Sequence, residues 1–89
     1  MTKYPEIQII ASRFIFSLYG YNIRSFTVIL YNYYYRFAVV EVRLQDVTVY
    51  VLGQIVTCPD FSEPSVFHEL RTYATKQRAE IAFTALTEL

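Results

Sequence analysis

The sequence is poor in residues that break or bend a chain. Two glycines, Gly20 and Gly53, and three prolines, Pro5, Pro59 and Pro64, punctuate 89 residues. No linker, repeat or low-complexity stretch divides them, so a single domain spanning residues 1–89 is expected. There is no tryptophan, one cysteine (Cys58) and one histidine (His68). A lone cysteine forms no internal disulfide, and this supply matches no established zinc spacing. Eight basic and eight acidic residues leave no formal net charge, which removes the overall field that draws proteins onto nucleic acid or anionic membrane. Uncharged stretches such as Phe14 to Ile23 and Ser25 to Tyr35 fall well short of the ~18 apolar residues that read as a membrane span. The apolar run after Pro5-Glu6 is broken at Arg13, too early for a signal-peptide core. A cytoplasmic setting is expected, with no membrane, cofactor, metal or small-molecule substrate.

What is present in excess is tyrosine. Hydrophobic residues make up 54% of the chain, counting nine tyrosines, against roughly 45–50% apolar residues in an ordinary soluble domain. Between Phe14 and Val56 the chain is loaded with Val, Ile, Phe, Tyr and Thr, whose branched or planar side chains suit a pleated surface. From Ser62 onward the composition shifts to Ala, Leu, Glu, Lys, Arg and Gln, which lose little freedom in a helix. Sheet first and helix last is an α+β arrangement: an antiparallel meander of three or four strands with a long C-terminal helix.

Hairpin registers test the sheet reading, because a slip of one residue exchanges the two faces. A turn at Gly20-Tyr21-Asn22 sets Phe16 against Phe26, Phe14 against Val28 and Ser17 against Ser25. A turn about Tyr34 sets Leu30 against Ala38 and Val28 against Val40. A turn at Gln45-Asp46 sets Leu44 against Val47, Val42 against Val49 and Val40 against Val51. One face then carries Phe14, Phe16, Leu18, Phe26, Val28, Leu30, Ala38, Val40, Val42, Leu44, Val47, Val49 and Val51, which is core. The other carries Ile15, Tyr19, Thr27, Ile29, Tyr31, Phe37, Val39, Glu41, Arg43, Thr48, Tyr50 and Leu52, too apolar for an ordinary wet face.

Asp60 or Ser62 is placed to cap the C-terminal helix, with Pro64 in its first turn. Its stripe of Phe67, Leu70, Ala74, Ile81, Ala85 and Leu89 is assigned to cover the core face. Ala79, Ala82, Phe83 and Leu86 fall off that stripe. At the other end Ile7, Ile10, Ala11, Phe14 and Leu18 also match helical spacing, with Gly20 as a stop. An α-β-β-β-α alternative with an N-terminal helix therefore stands beside the four-stranded version.

For chemistry the richest segment is Tyr31-Asn32-Tyr33-Tyr34-Tyr35-Arg36-Phe37 at a hairpin turn. Tyrosine offers a large contact area for few rotatable bonds, and Tyr and Arg recur as binding hot spots. Tyr31, Tyr33, Tyr34, Tyr35, Arg36, Phe37 and Tyr50 are the candidate partner-binding residues. The plain structural reading is that some of these rings cover the sheet edge. Tyr31, Phe37 and Tyr50 with Arg36 and Arg43 also resemble a stacking platform for single-stranded nucleic acid. Zero net charge and Glu41 on the same face oppose that alternative. A Cys58–His68 nucleophile pair or a metal at Cys58, Asp60 and His68 lacks any supporting pattern, and no catalytic residue is assigned. Lys76 and Glu80 are spaced for a helical ion pair, and Arg71 and Arg78 share a helical stripe.

The expectation is a non-enzymatic protein-interaction module, most simply homodimeric, acting as an inhibitor, adaptor or phage or mobile-element factor. The expected partner is another protein, a second copy, or both. The reasoning is arithmetic: one helix covers one sheet face, and a large apolar face left over marks an association site.

Overall fold

The computed structural model describes residues 4–11, 15–56 and 66–88. It is an α+β fold, as the composition shift implies, with elements in the order α1 (Pro5–Ala11), β1 (Phe16–Leu18), β2 (Tyr21–Ile23), β3 (Thr27–Tyr31), β4 (Phe37–Leu44), β5 (Val47–Val56), β6 (Val66–Tyr73) and α2 (Lys76–Thr87). β3, β4, β5 and β6 form an antiparallel meander in that spatial order, and β1 pairs with β2 as a separate hairpin.

The third expected hairpin is present as read: Leu44 pairs Val47, Val42 pairs Val49 and Val40 pairs Val51. Val28 pairs Val40, also as read, but the ladder then shifts at Ile29 so that Leu30 pairs Val39 and Tyr31 pairs Ala38. One inserted residue reverses the parity beyond it. Leu30 therefore packs with Val39 on one face and Tyr31 packs with Ala38 on the other, the reverse of their expected sides.

The first hairpin is corrected. Its turn is Tyr19-Gly20, both with positive φ (51° and 82°), as a two-residue turn matched to strand twist requires. Phe16 pairs Ile23, not Phe26. The Phe16 and Phe26 rings nonetheless meet edge-on at 5.3 Å, because the hairpin lies across the sheet instead of extending it. Pro5 opens a short helix at the first helical position, where its missing N–H costs nothing, so the N-terminal stretch is helix and then strand. Phe14 lies outside the described residues.

The fourth strand of the sheet comes from the other end of the chain. Residues 66–73 are strand, not helix, and α2 begins only at Lys76, capped by the Thr75 hydroxyl accepting from the Arg78 amide at 3.3 Å. The expected caps Asp60 and Ser62, with Pro64, lie outside the described residues. Tertiary demand explains the strand. The middle of β5 is buried, and its peptide groups on the side away from β4 need partners that only another strand supplies. Val66, Phe67, Thr72 and Tyr73 are good strand formers that the helical stripe through Phe67, Leu70 and Ala74 had concealed.

Both faces of the sheet are covered by the chain itself. On one side α1 and the β1–β2 hairpin bury Ile7, Ala11, Phe16, Leu18, Ile23 and Phe26 against Val28, Val40, Val42, Val49, Val51, Ile55 and Phe67. On the other, α2 packs Ala79, Ala82, Phe83 and Leu86 on Val39, Leu52, Tyr50 and Tyr73. The residues set aside as off the stripe are thus the packing face, at spacings of three, four and seven. Ile81 and Ala85 are exposed, and Leu89 lies outside the described residues. The premise of an uncovered second face is therefore withdrawn.

Candidate functional site

The β3–β4 turn is built on Asn32. Its side-chain oxygen accepts from the Tyr35 amide at 2.7 Å, its carbonyl accepts from the Arg36 amide at 2.7 Å, and its own N–H donates to the Phe37 carbonyl at 2.9 Å. A short amide side chain that closes such a loop is the usual reason asparagine appears in turns. β5 grips the far side: the Ile55 amide donates to the Arg36 carbonyl at 2.9 Å and the Gln54 side-chain amide donates to the Tyr35 carbonyl at 3.0 Å.

Arg36 closes this turn at φ 62°. In that left-handed region the Cβ of an L-residue crowds the backbone, at a cost of roughly 1–2 kcal/mol that glycine avoids. An arginine here is held by the surrounding hydrogen bonds against its local preference, a pattern that concentrates at functional sites.

The rings fan out from the turn. Tyr33, Tyr34 and Tyr35 are 65%, 83% and 39% exposed. Tyr31 meets Tyr33 edge-on at 4.9 Å, Tyr34 meets Tyr35 edge-on at 4.7 Å, and Tyr35 lies 6.1 Å from Phe37. Edge-on pairs add attraction beyond simple burial, so the exposed rings brace one another. Tyr31 is half-buried against the larger core cluster. Burial pushes its phenol above the ordinary tyrosine range; the Arg36 guanidinium pulls it back in part, and Tyr33 adds to the rise.

Six of the seven candidate residues are thus gathered in one turn and its stems. Tyr50 is not. It pairs Glu41 and Tyr73 in the ladders and packs into the cluster beneath α2. Removing Tyr50 also takes away one of the rings of the nucleic-acid platform, because the sheet face that carries it lies under a helix. His68 is exposed on β6 opposite Gln54, while Cys58 and Asp60 lie outside the described residues. Among the described residues no group of three His, Cys, Asp or Glu side chains is placed to hold a metal ion, and no polar or charged residue is buried. Lys76 and Glu80 pair at 3.8 Å on an exposed helix surface. Arg71 and Arg78 do not share a helix; Arg71 sits on β6 with its guanidinium 5.6 Å from the centre of the Tyr73 ring. No described helix is long and apolar enough to cross a membrane.

A feature the sequence did not announce is an open cleft of about 460 Å³ at the opposite end of the sheet, between β2 and the β4–β5 turn, with Tyr21, Arg43 and Asp46 on its walls. Two segments some twenty residues apart in sequence, Tyr21–Ile23 and Arg43–Val47, meet there, so no local pattern could have revealed it.

The fold and turn define a small α+β protein that displays a braced aromatic hairpin tip on a sheet covered on both sides. No protein-family model, curated protein or solved structure matches the chain.

Proposed function

We propose that the protein is a non-enzymatic interaction module that captures a partner protein through the aromatic turn, with Tyr33, Tyr34, Tyr35 and Arg36 as the contact and Tyr31 and Phe37 as its supports. The observation that carries this reading is Arg36 in a left-handed conformation beside exposed rings. A turn selected for stability alone has glycine or asparagine available at that position, whereas this one keeps a long cationic side chain next to three tyrosines. Rings held in place before binding lose less freedom when a partner arrives. Such a contact suits an inhibitor or adaptor.

The test is capture from the native host quantified by mass spectrometry. Tyr34→Ala and Arg36→Ala should leave the circular dichroism spectrum unchanged and deplete the same captured protein by about tenfold or more, the size of one hot-spot residue. Undiminished capture by both variants would return the turn to a structural role. Salt-sensitive retention of single-stranded RNA or DNA, abolished by the same substitutions, would move the reading to nucleic acid.

A further inference from the structure

Among the described strands, β3 and β6 are the outer members of the four-stranded sheet, and they are built differently. β6 carries charges of its own, Glu69 and Arg71, the kind of residue that ordinarily keeps a sheet border from pairing with another chain. β3 carries none. The stretch from Ser25 to Tyr35 has no charged residue, no proline and no glycine, and its part from Phe26 to Tyr31 has the β-branched and aromatic make-up of segments that stack on copies of themselves. An outer strand of this composition needs protection from elsewhere.

The Gln8 side chain supplies it. Its Nε2 donates to the Phe26 carbonyl at 2.9 Å and its Oε1 accepts from the Val28 amide at 2.8 Å. The two bonds bracket Thr27, which is the pattern made by one residue of a neighbouring parallel strand: it donates to the carbonyl before, and accepts from the amide after, the residue it faces. We propose that α1 is an edge guard, in which the Gln8 carboxamide occupies the place that Thr27 of a second copy would take if the segments from Phe26 to Tyr31 paired parallel and in register. This goes beyond the proposed function and is independent of partner capture by the tyrosine turn.

The guard stays in place through its docking. α1 has seven residues, and an isolated helix needs about 12–15 to persist in water. Ile7 and Ala11, one helical turn apart, are buried in the core, and the Gln8 amide donates to the Tyr4 carbonyl at 2.9 Å to close the first turn. These contacts fix the point from which the carboxamide reaches the strand. Further along β3 the ladder shifts at Ile29, and a bulge of this kind twists a border away from an incoming strand. The side chain and the bulge thus act on successive parts of the same charge-free strand.

Amide hydrogen exchange, with thioflavin fluorescence at about 50 μM protein, tests the proposal. Gln8→Ala suits a helix and should keep the wild-type circular dichroism spectrum. Its Val28 amide should exchange at least about tenfold faster relative to the Val40 amide at the sheet centre, the worth of one or two net hydrogen bonds. The same variant should form thioflavin-positive assemblies about tenfold faster than wild type, from the same loss. Adding Thr27→Lys, which places a charge on the exposed border opposite Glu41, should return assembly to the wild-type rate without restoring protection at Val28. Phe83→Ala, which weakens the fold but leaves Gln8 in place, should assemble more slowly than Gln8→Ala. The proposal is overturned if the Val28 amide stays protected in Gln8→Ala or if assembly is no faster. It is also overturned if the double variant assembles as fast as Gln8→Ala, or if Phe83→Ala does, since Gln8 then merely fastens α1 to the sheet.

Discussion

The protein gathers two groups of aromatic rings and uses them in opposite ways. Phe16, Phe26 and Phe67 form a buried triad with centroids 5.2–6.3 Å apart, and the backbone makes room for it. A Cβ on Gly53 would run into the Phe67 ring and the His68 carbonyl, so glycine lets that ring lie flat on the sheet. Around Tyr31 to Phe37 the accommodation runs the other way. There the rings face water and the backbone accepts a strained residue, Arg36, to present them. Phenylalanine is spent on cohesion and tyrosine on display, which fits a phenol that tolerates both a ring neighbour and solvent.

The largest effect that would test this contrast is at Phe67. Phe67→Ala opens a cavity in the triad and should cost about 3–5 kcal/mol, seen as a lower denaturant midpoint. Phe83→Ala, on the half-buried face of α2 that packs on the sheet, should cost clearly less. Equal losses would mean that the triad holds no special share of the stability. Gly53→Ala should cost about 1–3 kcal/mol, as overpacking does when a ring and a neighbouring strand must both shift. An unchanged melting temperature would show that the close approach can relax.

At the turn the sign should reverse. Arg36→Gly relieves the left-handed strain but frees the unfolded chain, for a net gain of about 0.5–1 kcal/mol, while partner capture falls. A variant that is both more stable and fully competent in binding would remove the reason for keeping arginine there. The smallest effect belongs to Tyr31. Its phenol is held above the ordinary value by burial, with Arg36 opposing. The folded state therefore keeps this proton after the unfolded chain has begun to release it near pH 10. Its contribution is whole below that pH and is lost as pH climbs through the folded pKa. Ultraviolet titration should show one tyrosine ionising later than the exposed ones, and later still in Arg36→Gln; a single merged transition would argue against a buried supporting ring.

Much of the sheet was legible because alternation is a strong local signal. The β4–β5 register could be read directly from Val40, Val42, Leu44, Val47, Val49 and Val51. The candidate turn was legible from its composition, but Tyr50 was not excluded from it, since its place under α2 depends on where a helix lands. The bulge at Ile29 left no mark in the sequence, yet it exchanged the sides of Leu30 and Tyr31. The strand at 66–73 was hidden because Glu69, Leu70 and Arg71 favour helix intrinsically, and the unmet peptide groups of β5 outweighed that preference. The continuous apolar runs Phe37–Val40 and Val49–Leu52 did carry a message, that these strands are buried on both sides. The second layer that covers them comes from this chain.

One amide occupies the outward backbone groups at the start of β3. An exposed sheet border offers such groups to any passing strand, and a side chain that pairs with them makes the border less receptive. Gln8 can do this only because a carboxamide gives and receives a hydrogen bond at once, donating to the Phe26 carbonyl and accepting from the Val28 amide. Deamidation would turn the donating end into a second acceptor facing the Phe26 carbonyl, and the backbone groups that the carboxamide now occupies would be left to water.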